Sequence, residues 1–96
     1  AALEIQKEEI TVGEMIRELA EALRGSEEPL ELLTICRRHP SRRGLIVLFL
    51  SLLEMVRLEA IVVLQSEAFG PLFLRKHKLF DVVFRPGSEL SVKEYN

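Results

Sequence analysis

The side chains best suited to chemistry are few in this chain: His39, His77, Cys36 and the arginines Arg37, Arg38, Arg42 and Arg43. A metal site wants several His, Cys or carboxylate ligands at short, regular spacings, and these residues do not offer them. His39 precedes Pro40 in a turn and His77 stands between Lys76 and Lys78, so both are expected in solvent. Cys36 has apolar neighbours on a short helix and is expected as a small buried side chain. A lone cysteine excludes an internal disulfide framework and fits a reducing compartment. The five glycines are dispersed, leaving no phosphate-cradling loop. The carboxylates lie mostly along the first helix, as a solvated face requires. No catalytic, cofactor-binding or metal-ligating set emerges, and the chain reads as a non-enzyme with no cofactor.

Ninety-six residues, 48% hydrophobic and 29% charged, suit one small globular domain. The net charge of −2 argues against binding nucleic acid through overall electrostatics. No secretory signal or membrane span is visible, which points to the cytoplasm. The first residue is Ala1 and the lead-in is charged, so residues 1–9 read as the end of a linker in a fragment of a longer protein.

The elements follow in order. Thr11-Val12-Gly13-Glu14 is a capping box, with Ile10 and Met15 at the positions of a hydrophobic staple. Val12, Met15, Ile16, Leu19, Ala20 and Leu23 then recur at helical spacing, which predicts a first helix from Val12 to Arg24 closed by Gly25. Ser26 to Pro29 reads as a turn or short extended connector. Glu31 to Arg38 reads as a short second helix, stopped by His39-Pro40. Ser41 can cap a third helix running to about Glu59. Ile61 to Gln65 and Leu72 to Leu74 read as two short strands joined by a turn. The pattern predicts a mainly α fold with a β-hairpin: a winged helix-turn-helix over residues 10–75, three helices and a two-stranded wing. Residues 76–96 read as a tail carrying one more strand-like run at 79–84 and a polar, disordered end.

The third helix has too much apolar surface for one core. At about 100° per residue its apolar side chains span an arc of roughly 220°, where one buried face needs little more than 100°. Leu45, Leu48, Leu52, Met55 and Val56 are assigned to the core. Ile46, Phe49, Leu50 and Leu53 form a second flank, while Ser51, Glu54 and Arg57 are the polar residues of the helix. Either the tail or the wing covers that flank, or a protein partner does. The partner reading is preferred, because a few such side chains suffice to anchor an interface.

Winged helices also bind DNA, and Arg37, Arg38, Arg42 and Arg43 gather near the turn and the start of the third helix as candidate phosphate contacts. A recognition helix presents polar or basic side chains to base edges, however, and this one would present Ile46, Phe49, Leu50 and Leu53. A DNA-binding regulator is therefore the alternative reading, and a dimerisation module using the same flank is a third.

The run from Ser41 to Val56, continuing through Leu64-Gln65-Ser66-Glu67-Ala68-Phe69-Gly70, resembles the C-terminal domain of the bacterial ScpA kleisins. The resemblance covers about Glu9 to Arg75 and rests on a greasy helix followed by a Gln-x-Glu-x-Phe-Gly hairpin. Ser66, Ala68 and Pro71 depart from the family's Glu, Pro and Asp, and Gly44 replaces an acidic residue. The resemblance implies a nucleoid-associated subunit that bridges the ATPase heads of an SMC dimer in chromosome condensation and segregation. Its winged helix would dock on one SMC head, with Phe49 and Leu53 in that contact. ScpB would bind other parts of the full-length protein, ATP would belong to the SMC partner, and DNA would be held indirectly by the closed ring.

Overall fold

The computed structural model describes residues 10–85. The linker end expected at residues 1–9 and the terminus from residue 86 on lie outside them. Seven elements follow in order: α1 Val12–Arg24, β1 Leu30–Glu31, α2 Leu32–Arg38, α3 Arg42–Arg57, β2 Ile61–Leu64, β3 Phe73–Lys76 and α4 Phe80–Val83. This mixed α+β arrangement, helices against a small antiparallel sheet, is compatible with a winged helix.

α1 starts where its local chemistry says it should. The Glu14 backbone N–H donates to Thr11 Oγ1 at 3.1 Å, and the Thr11 N–H donates to Glu14 Oε1 at 2.9 Å, so two otherwise orphaned donors are satisfied. Met15 is fully buried and Ile10 packs on the core, the two ends of the staple. Gly25 does close the helix, but at φ −88°, a conformation open to any residue.

The sheet contains one more strand than the pattern predicted. β3 is central, antiparallel to β2 on one side and to β1 on the other, so Leu74 lies opposite both Val63 and Leu30. Its side chain is fully buried for that reason. β1 has only two residues and is held by its partner: the next residue, Leu32, donates its N–H to Leu72 O at 2.9 Å.

Past β3 the expectation of a strand at 79–84 is corrected. Phe80–Val83 is a short helical turn. His77 Nδ1 accepts the Leu79 N–H at 3.1 Å and His77 O accepts the Phe80 N–H at 2.9 Å, which turns the chain before a strand can extend. Phe80 enters the core at 1% exposure, touching Phe84 ring to ring at 5.0 Å, with Arg24 and Lys76 over its face. Packed side chains thus continue beyond Arg75 to Phe84. His77 is a partly buried turn-former rather than a solvated side chain.

Candidate protein-interaction site

α3 is the element on which the molecule's spare surface is concentrated. Ser41 caps it, its Oγ accepting the Gly44 N–H at 2.9 Å. Gly44 lies buried under the turn: a Cβ there would meet the Cβ of His39 and the Oγ of Ser41 at 3.0 Å each. His39 is itself fixed, since its Nε2 lies 2.8 Å from Glu18 Oε2 with the side chain 17% exposed. The expectation of a solvated His39 is therefore corrected: it ties the α2–α3 turn to α1.

The buried face of α3 is Gly44, Val47, Leu48, Ser51, Leu52 and Met55. Two assignments change. Val47 is core and Val56 is exposed, and Ser51, placed with the polar residues from sequence, is fully buried. The shift amounts to roughly half of one residue's 100° step around the helix. Its cause is α1. Ser51 Oγ donates to Val47 O at 2.7 Å and lies 3.4 Å from Val12 O, so this short side chain lets α1 come close without an unsatisfied hydroxyl. Leu45 is only partly buried at the edge of the core, as is Cys36.

The opposite face carries Ile46, Phe49, Leu50, Leu53 and Val56. Ile46, Phe49, Leu50 and Val56 are each about half exposed, and Leu53 is 68% exposed. Neither the wing nor the described part of the tail covers them. The run ends at an ion pair between Arg57 and Glu54 one turn apart. Near its start, Ile46 and Leu50 join Val47, Ile10, Thr11, Val12, Arg42 and Arg43 around an open groove of about 470 Å³.

The four arginines do not act as one group. Arg42 and Arg43 line that groove beside apolar side chains. Arg38 turns to Glu18 of α1 at 3.9 Å, a partly exposed pair of little energetic weight. Arg37 is exposed. Glu18 and the exposed apolar face of α3 stand beside them. Among the described residues no group of His, Cys, Asp or Glu could hold a metal ion, and no helix is long and apolar enough to cross a membrane.

Sequence reasoning missed several exposed apolar side chains, among them Leu33, Val63, Phe69 and Val82. Phe69, at the tip of the β2–β3 hairpin, is wholly exposed and has φ 63°. Its position between turn-forming neighbours was legible, but its left-handed backbone was not.

The chain is 38% identical over 72 residues to segregation and condensation protein A of Myxococcus xanthus, a match covering 74% of this chain and 25% of that protein. It is 36% identical over 73 residues to segregation and condensation protein A of Caldanaerobacter subterraneus subsp. tengcongensis, covering 76% of this chain and 29% of that protein. The chain therefore spans about a quarter of the length of the curated relatives it matches. No family model and no solved structure matches it.

Proposed function

We propose, from its homology to segregation and condensation protein A over about three quarters of the chain, that this is a non-catalytic kleisin domain acting in chromosome segregation and condensation. Its task is to dock on an SMC ATPase head and so help close the condensin-like ring, in the cytoplasm and at the nucleoid. ScpB meets other parts of the full-length protein, and DNA is engaged through the complex. The observation that carries the docking is the exposed α3 face: Ile46, Phe49, Leu50 and Leu53 stand on a rigid, well-capped helix with no cover inside the described domain. These side chains are half to two-thirds exposed, so completing the burial of each contributes about 1–2 kcal/mol, and the helix fixes the backbone beneath them so that only side-chain rotamers remain to be ordered. Val56 extends the same face by one more turn.

The test is the double variant Phe49→Arg, Leu53→Arg against the ATPase head of the same organism's SMC protein. Surface substitutions that touch nothing in the core change stability by about 0.5 kcal/mol, a Tm shift of about 2–4 °C in a domain of this size. Head binding should weaken by about a hundredfold or more, because two interface anchors become desolvated charges. Wild-type-like binding would remove this surface from the interface. A parallel titration with duplex DNA at two salt concentrations separates the regulator reading, which requires sequence-selective and not merely salt-sensitive binding by Arg37, Arg38, Arg42 and Arg43.

A further inference from the structure

The β2–β3 hairpin ends in a contradiction of ordinary surface chemistry. Phe69 is 102% exposed, with no packing partner to hold its ring, yet its backbone sits at φ 63°. That left-handed conformation is uncommon for any residue with a side chain and an outlier for a bulky one. The loop around it is nonetheless organised. Gly70 N–H donates to Glu67 O at 3.0 Å, and Gln65 Nε2 donates to Gly70 O at 2.9 Å, closing the tip from both sides. Gly70 leaves room for this closure, since a Cβ there would lie 2.8 Å from Glu67 Cγ and 3.1 Å from Glu67 O. At the hairpin's base β2 packs against α3, so the tip is attached to the helix that carries the exposed face. Strain in a fixed loop that ends in a solvent-facing aromatic ring indicates a site held ready for a contact.

We propose that Phe69 is a second anchor on the partner of α3, inserting its ring into an apolar pocket rimmed by basic groups on that protein. This deepens the docking reading given above and rests on it. Charge identifies the occupant's chemistry. In the loop between the two strands, residues 65–72, Glu67 is the one charged side chain, two residues before Phe69. Such a tip repels phosphates and suits a basic rim. Area sets its rank. One aromatic side chain buries about 150–250 Å², against about 800 Å² per partner in a stable interface, so the tip adds to a larger contact and does not replace it.

The experiment pairs stability with binding. Phe69→Asn keeps a residue that tolerates the left-handed conformation and removes the ring; Phe69→Gly relieves the strain outright. The chain carrying each variant is titrated with the SMC ATPase head of the same organism, and separately with duplex DNA, with thermal melts alongside. Both variants should melt at or above the wild-type temperature while head affinity falls about thirtyfold. Glu67→Lys should weaken head binding most at low salt. If wild type binds the head, Phe49→Arg with Leu53→Arg abolishes it and the Phe69 variants bind normally, the docking reading stands and this inference is overturned. If wild type does not bind the head, both are overturned. Loss of DNA binding with head binding intact would assign Phe69 to nucleic acid and overturn it as well.

Discussion

The two faces of α3 are built from the same residue types and meet opposite fates. Leu48, Leu52 and Met55 are buried, while Ile46, Phe49, Leu50 and Leu53 face solvent a quarter to half a turn away. Composition alone does not separate them, since leucine stands on both sides. What separates them is what packs opposite. α1 lies against the Val47–Ser51 side, where a serine in place of a large side chain permits close approach, and nothing within the described domain packs against Phe49 and Leu53. An apolar side chain is core only where a second element can reach it. An apolar face that none reaches is unusual on a monomer.

Alanine substitution exposes this contrast most sharply. Leu48→Ala leaves a cavity at the centre of the α1–α3–sheet packing and should cost about 2–5 kcal/mol. In a domain of this size that is a Tm loss of about 8 °C or more, read by a thermal melt. Leu53→Ala on the exposed face should change stability by about 0.5 kcal/mol or less and appear instead in the affinity for the SMC head. Equal destabilisation by the two would break the distinction between the faces, because Leu53 would then be part of the core.

A smaller effect is expected where α3 begins. Gly44→Ala gains about 1 kcal/mol of helix propensity. It also forces a methyl group to within 3.0 Å of His39 Cβ and Ser41 Oγ. Overpacking of that kind costs about 1–3 kcal/mol, and His39 cannot easily yield while Glu18 holds its ring at 2.8 Å. The net expectation is a loss of about 1 kcal/mol. Glu18→Ala frees His39 and should reduce the cost of Gly44→Ala, which a double-mutant cycle of melting temperatures measures. Additive effects would mean that His39 does not transmit the clash.

Much of the fold was legible because its signals are local. The Thr11–Glu14 capping box, the Ser41 cap and the short β-branched run that starts at Ile61 each declare themselves within a few residues. The surplus on α3 was legible too, as an arc wider than one core needs. The misses share a physical cause, which is that the deciding partner is distant in sequence. β1 exists through its pairing with β3, Ser51 is buried by α1, and Val47 replaces Val56 in the core by the same rotation. The run Leu79 to Phe84 has strand-like composition, but Phe80 is drawn into the core between Arg24 and Lys76 and the chain turns helical around it.

The end of α3 supplies the smallest and most discriminating test. The helix closes in a Schellman arrangement: Ala60 N–H donates to Met55 O at 2.9 Å and Glu59 N–H to Val56 O at 3.0 Å. The residue that must be left-handed there is Glu59, at φ 63°, where helices normally place glycine. The absence of that glycine is why the sequence runs the helix to about Glu59 when it ends at Arg57. A side chain in this conformation costs roughly 1–2 kcal/mol, and glycine returns part of the gain as unfolded-state entropy. Glu59→Gly should therefore stabilise the domain by about 0.5–1 kcal/mol, raising Tm by about 2–8 °C. Phe69 has the same φ, yet its removal is expected to weaken head binding, whereas Glu59→Gly should leave that affinity unchanged because the strain at Glu59 serves only to end a helix. A fall in affinity with Glu59→Gly would show that the docking surface extends past Val56 around the end of α3, and the boundary between its structural and its interacting residues would have to move.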